Sequence, residues 1–284
     1  GEALYFLGRI EEAATQFQTL ATAGASPSLR ARALYYLGKT QHESNRHEAA
    51  RDTFRSLIEN LPESDLTPYA RYQLAFVYLD LNDPENAAIE FSAVANSKAD
   101  AELRMESRYR AAETYDKIGW FSTAVGAYEQ LRNEFPDSGY AQRAEYGYAW
   151  ALYHAGKYPE AIDAAKRLIS KRPDSPNRIG MEYLQANSLQ QQQQYPAALE
   201  IYQRLQKEHP DNEFAARAQY KSAWIYFLTG DTESAKREVT AFLAKNRDSA
   251  MMGDAAFLHG TLLAAEGTYE DAYQEFRLVA ENYP

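Results

Sequence analysis

The stretch AEYGYAWALYHAGKYPEAIDAAKRLISKRP (Ala144–Pro173) decides the fold. Its first half has a small residue at Ala149 and an apolar one at Leu152, a helical spacing of three. Gly156 then offers the left-handed backbone that ends a helix. Its second half places Ala161, Ala165 and Leu168 at 0, 4 and 7, one face of a second helix, which Pro173 closes. The stretch therefore encodes helix A, a tight turn, helix B and a Pro-bearing loop.

The same pattern runs the length of the chain. Ala13, Ala50, Ala87, Ala124, Ala161, Ala198, Ala235 and Ala272 stand 37 residues apart without a slip, a sustained period that marks a repeat array. Four residues on come Phe17, Phe54, Phe91, Tyr128, Ala165, Tyr202, Val239 and Phe276, and seven on an apolar residue in every unit, Leu20 to Val279. Twelve before the register alanine every residue is small, from Gly1 and Gly38 to Ala223 and Gly260, which suits a close helix crossing. Five before stand Gly8, Asn45, Asn82, Gly119, Gly156, Gln193, Gly230 and Gly267, the A–B turn. Ile10, Phe121, Tyr158, Tyr195 and Tyr269 follow that turn and are expected to staple helix B.

The spacing predicts helix A near 28–43, 66–80, 101–117, 139–155, 176–192, 213–229 and 250–266. Helix B is predicted near 10–23, 47–60, 84–96, 121–135, 158–171, 195–208, 232–246 and 269–282. Ser26-Pro27, Thr67-Pro68 and Ser175-Pro176 read as an N-cap hydroxyl before a proline in the first helical position. Pro62, Pro136, Pro173, Pro210 and Pro284 close helix B, whereas Ala99 and Arg247 stand at that position in two units. The third and seventh loops are therefore expected to bend differently. No strand pattern is visible.

These columns resemble the tetratricopeptide repeat, and the resemblance covers the whole chain. It implies an all-α, α-α superhelix: one solenoid over 1–284 of about eight helix-turn-helix repeats. The units are approximately 1–25, 26–62, 63–99, 100–136, 137–173, 174–210, 211–247 and 248–284, the first lacking most of helix A. The family's usual unit is shorter by three residues. The extra ones fall in the loop, as in Pro136-Asp137-Ser138-Gly139, similar to bacterial envelope members such as the Tol–Pal coordinator and the outer-membrane assembly lipoprotein. The chain opens in mid-pattern at Gly1, so it is read as a piece of something longer whose uncapped ends favour self-association.

Composition narrows the function. A net charge of −10 argues against a nucleic-acid partner, whose capture runs on clustered cations. The absence of cysteine removes thiolate metal sites and cysteine nucleophiles. No apolar run approaches transmembrane length, so no membrane insertion is expected within this segment. His42, His47, His154, His209 and His259 show no metal-motif spacing, and no phosphate loop or nucleophile elbow appears. No enzyme activity, cofactor, catalytic residue or metal site is expected.

In the family that the columns resemble, helix A lines the concave face, which places positions 18, 15, 11 and 8 before the register alanine in a groove. At 15 before stand Tyr35, Tyr72, Tyr109, Tyr146, Tyr183, Tyr220 and Phe257, a ladder that inter-repeat packing would also explain. The variable positions add Trp150, Tyr153, Trp224 and Phe227, with Arg143 and Arg217 beside them. Aromatic and arginine anchors are the usual hot spots for protein partners. The groove expected to bind a protein or peptide is thus Tyr109, Arg143, Tyr146, Trp150, Tyr153, Tyr183, Arg217, Tyr220, Trp224 and Phe227. The function expected is a non-enzymatic scaffold of a bacterial envelope assembly, periplasmic or outer-membrane-associated. The alternatives are a cytoplasmic protein, or a regulatory segment of a larger enzyme or polysaccharide-export machine.

Overall fold

The computed structural model describes residues 1–22, 24–246 and 249–283, and among them it has sixteen helices and no strand. The chain divides into two compact units, Gly1–Ala155 and Gly156–Pro284. The first holds α1 (Glu2–Phe6), α2 (Ile10–Thr22), α3 (Pro27–Glu43), α4 (His47–Asn60), α5 (Thr67–Asp80), α6 (Pro84–Ala95), α7 (Ala101–Lys117), α8 (Phe121–Glu134) and α9 (Gly139–His154). The second holds α10 (Tyr158–Lys171), α11 (Arg178–Gln191), α12 (Tyr195–Glu208), α13 (Glu213–Leu228), α14 (Thr232–Lys245), α15 (Met252–Ala265) and α16 (Tyr269–Asn282). Within each unit every helix packs on the next in sequence. Successive A helices also touch, α3 with α5 and α7 with α9 in the first unit and α11 with α13 in the second.

The register column does what its spacing implies. All eight alanines are buried, none more than 2% exposed. A methyl at that position lets the partner helix approach, and the ring four residues on fills the space beside it. Where the facing residue is glycine the approach is closest: a Cβ added to Gly38 would lie 2.6 Å from Cε1 of Phe54, and one on Gly260 2.9 Å from Cε1 of Phe276. The apolar column seven after is buried from Leu57 to Phe242 but only half-buried at Leu20 and Val279.

The turn column is uniform. Gly8, Asn45, Asn82, Gly119, Gly156, Gln193, Gly230 and Gly267 all have φ between +56° and +84°. At Asn45, for example, its own N–H donates to the His42 carbonyl and that of Arg46 to the Gln41 carbonyl, a Schellman closure. The same paired bonds follow α1, α5, α7, α11, α13 and α15. Gln193 (φ +59°) carries a Cβ into this region, where a glycine would meet no steric cost. Gln193→Gly is expected to stabilise the second unit by about 0.5–1 kcal/mol, read as a higher urea midpoint with an unchanged slope; a lower midpoint would contradict it.

The helix starts correct two readings. Ser26 caps α3 as expected, its hydroxyl accepting from the Leu29 N–H. Thr67 is instead the first residue inside α5, and its buried hydroxyl donates back to the Leu61 carbonyl at 2.8 Å. Ser175 sits in a turn, accepting from the Asn177 N–H at 3.2 Å, and α11 begins only at Arg178. In both cases the loop folds on itself before the helix starts, which a cap dipeptide alone does not reveal. The residue before each described closing proline leaves the helical region, as at Leu61 (φ −135°, ψ 54°) and Phe135 (φ −133°, ψ 58°), because the pyrrolidine ring clashes with a helical neighbour.

The third loop bends differently, as its missing proline implies. Helix α6 stops at Ala95, and its cap Asn96 keeps φ −99° and ψ 6°. Arg108 from α7 closes that end, donating to the Ala95 carbonyl at 2.7 Å and to the Asn96 side-chain oxygen at 3.1 Å. The seventh loop's Arg247 and the final Pro284 lie outside the described residues. The cap before Arg247, Asn246, stays near the proline-bearing geometry at φ −114° and ψ 48°.

Candidate functional site

Positions 18, 15, 11 and 8 before the register alanine recur at helical spacing and therefore share one face of each A helix. The aromatic ladder at 15 before turns toward its own repeat's B helix. Tyr35 meets Phe54 edge-on at 6.3 Å, Tyr72 meets Phe91 at 5.7 Å, Tyr109 meets Tyr128 at 6.3 Å and Tyr183 meets Tyr202 at 5.9 Å. Where Val239 replaces the ring, Tyr220 uses Phe242 instead, at 6.1 Å. Burial is the main cause that pushes the Tyr35, Tyr109 and Tyr220 phenols up to about 12, with Glu113 adding to the shift at Tyr109. These hydroxyls stay neutral throughout the physiological range.

Tyr183 (4% exposed) and Tyr220 (8%) are therefore core residues with little surface to offer a partner, which corrects their place among the groove anchors. The physical reason is the ring-on-ring contact inside each hairpin, worth more than solvent exposure of the same area. Tyr109 and Tyr146 remain half-buried.

The first unit carries an aromatic and arginine patch on α7 and α9. Arg143 is exposed, its guanidinium carbon 4.4 Å from the Tyr140 ring centre and 5.5 Å from that of Tyr109. Rings rather than a carboxylate hold this cation, which leaves its charge available. Seven residues further along the same helix, Trp150 stands edge-on to Tyr153 at 6.0 Å and to Tyr146 at 6.4 Å. Its indole N–H is buried and has no hydrogen-bond partner.

The second unit's counterpart is more deeply committed to packing. Trp224 and Phe227 on α13 lie 5.6 Å apart, half-buried against Tyr220, Phe242, Leu258 and Leu262. Arg217 is exposed, with Phe214 5.6 Å beneath it and Glu213 at 3.4 Å. This cation is already paired.

The structure also joins residues that spacing along the chain does not. The position eight before one register alanine meets the position seven before the next: Tyr5 donates to Glu43, His42 Nε2 bonds Asp80 at 2.6 Å, and His154 Nδ1 lies 3.1 Å from Asp116. These pairs are 38 residues apart, one repeat plus one residue, a separation that a search for local motifs passes over. Across from His42, His47 Nδ1 is 3.9 Å from the same Asp80 oxygen.

Two family models match parts of the chain. Residues 1–65 and 183–235 match the tetratricopeptide repeat, and residues 101–196 match YfiO, described as an outer membrane lipoprotein. The segments 1–65 and 183–235 are tetratricopeptide repeats, and the rest of the chain continues the same helix-turn-helix pattern. No curated protein matches it. Among solved structures, these repeats are similar to a tetratricopeptide repeat protein from Parabacteroides merdae at 14% identity and a TM-score of 0.62, covering 89% of this chain and 93% of that one. They are also similar to PilW, described as a type IV pilus biogenesis factor, at 19% identity and a TM-score of 0.58, covering 76% and 94%. A third likeness is to YrrB, described as having an unusual peptide-binding site, at 15% identity and a TM-score of 0.52, covering 66% and 91%. At these identities the likeness establishes the fold.

Proposed function

We propose that this tetratricopeptide-repeat protein is a non-enzymatic scaffold that holds a protein or peptide partner against its A-helix faces, within a bacterial cell-envelope assembly. The observation that carries the reading is the Arg143, Tyr109, Tyr140 and Trp150 patch. It combines a cation held by rings rather than by a carboxylate with an indole N–H that lacks an acceptor. A buried donor without a partner is costly, and a carbonyl or carboxylate from a bound segment would satisfy it. Acidic or extended polar segments suit Arg143 best.

The envelope setting is supported by the match of residues 101–196 to an outer membrane lipoprotein family and by the likeness to a pilus biogenesis factor. Peptide capture is supported by the likeness to a repeat protein with a peptide-binding site. No helix among the described residues is long and apolar enough to cross a membrane, so attachment to an envelope would come through a partner or a segment outside these helices.

The test is affinity capture from the native organism's envelope fraction, with the recovered partner identified and its affinity then measured on purified components. Arg143→Ala with Trp150→Ala is expected to weaken that affinity by about thirtyfold or more, the range of a lost hot spot, while the helical circular dichroism is retained. Arg217→Ala is expected to have the smaller effect, because Glu213 already holds that cation. A partner whose affinity is the same for the double variant and the wild type would overturn the assignment of this patch.

A further inference from the structure

We propose that His42, His47 and Asp80 form a binding site for a divalent transition metal, Zn2+ in the first instance, which ties the second repeat to the third. One donor atom from each of the three residues lies within 4.8 Å of the other two. The site arises from three chain ends meeting: His42 in the last turn of α3, His47 as the first residue of α4, and Asp80 as the last residue of α5. The α3–α4 turn at Asn45, with its left-handed backbone, brings the two imidazoles to a ring separation of 5.3 Å, edge to face. The stacking of α5 beneath that turn delivers the carboxylate.

The geometry is close to what a metal needs. Donors held at about 2.0–2.1 Å from a tetrahedral Zn2+ are roughly 3.4 Å apart. Asp80 Oδ2 lies 2.6 Å from His42 Nε2 and 3.9 Å from His47 Nδ1, so one separation must open and the other close by less than an ångström each. Side-chain rotation supplies such shifts, and Asp80 is half-exposed. His47 Nδ1 provides an independent pointer. It is buried and has no hydrogen-bond partner, so this nitrogen lacks a partner that a metal would provide.

The donor set selects the metal class. Two imidazoles and one carboxylate favour Zn2+, Ni2+ or Cu2+ over Mg2+ and Ca2+, which take oxygen donors. Two of the three residues end helices, where the carbonyl-bearing terminus favours a cation, and the chain's net charge of −10 acts in the same direction. A fourth position on the exposed side of Asp80 is left for water. Because the donors belong to two repeats, a metal bound only by the folded arrangement stabilises their interface. The role is structural, and it stands apart from partner capture at Arg143 and Trp150.

The test uses the untagged, chelator-treated chain titrated with Zn2+ by calorimetry, with thermal melts recorded in parallel. The expected result is saturable one-to-one uptake with a raised melting midpoint, undisturbed by excess Mg2+. His47→Gln leaves the His42–Asp80 bond in place and is expected to fold as the wild type does, yet to lose at least about tenfold in affinity together with the stabilisation. Asp80→Asn is expected to behave likewise, and His209→Gln, in the other unit, to bind as the wild type does. An absence of saturable uptake, or an isotherm for His47→Gln that matches the wild type, would overturn the site.

Discussion

Phe54→Ala is expected to destabilise the first unit by about 3–5 kcal/mol. Phe54 is fully buried on α4 among Leu34, Leu57, Ile58, Ala70, Leu74 and Val77, so it touches α3 and α5 at once. Its ring packs closely against Gly38, which has no side chain to move into the vacated space, and Tyr35 meets it edge-on at 6.3 Å. Deleting the ring therefore removes the transfer free energy and leaves a cavity that the helix backbones cannot easily close. In a repeat array each unit depends on its neighbours, so the loss should be concentrated locally. Hydrogen exchange is expected to accelerate across α3, α4 and α5 while α8 is little changed, alongside a lower urea midpoint. A cost below about 1 kcal/mol would mean that α3 and α4 collapse onto each other and that the glycine crossing is not rigid.

Arg108→Met is expected to cost about 3 kcal/mol, although it replaces a charge with an apolar side chain of similar length. The Arg108 side chain is only 8% exposed. Its guanidinium donates to the Ala95 carbonyl, the Asn96 side chain and Gln130 at 2.7, 3.1 and 3.0 Å, and faces Glu134 at 3.2 Å. Burial lowers its pKa, yet an arginine in this setting keeps its proton. Without it the open end of α6 loses its donor, in the one described loop where alanine stands in place of the closing proline. Glu134 retains Arg104, which keeps the cost near the lower end for a broken buried pair. Arg55→Met is the control: its pair with Glu59 is exposed on both sides and should change the urea midpoint little. Equal effects for the two variants would show that Arg108 acts as a surface charge.

Much of the fold was legible because the deciding interactions are local. Most helix bounds read from spacing fall within one or two residues of those observed, such as Ala101–Lys117 and Tyr195–Glu208. The turn column was read as left-handed even at Gln193, where the residue type argues weakly and the register argues strongly. The groove was less legible. The tyrosines at 15 before the register alanine were candidates for either packing or binding, and ring contacts with helix B draw Tyr183 and Tyr220 into the core. Arg143 stays exposed and Trp150 half-buried, the one on the Tyr140 ring and the other with a buried indole N–H that no acceptor meets.

The sequence by itself determined the repeat, the order of its helices and the conformation of each turn. A period, a left-handed residue and a proline act over a few neighbouring bonds. Tertiary structure alone decided which polar groups meet across repeats: Arg108 with the end of α6, Tyr5 with Glu43, and His42 and His47 with Asp80. Those contacts depend on how closely two helices cross and on the rotation between successive hairpins. The packing of small residues against rings sets both, and no spacing along the chain encodes them directly.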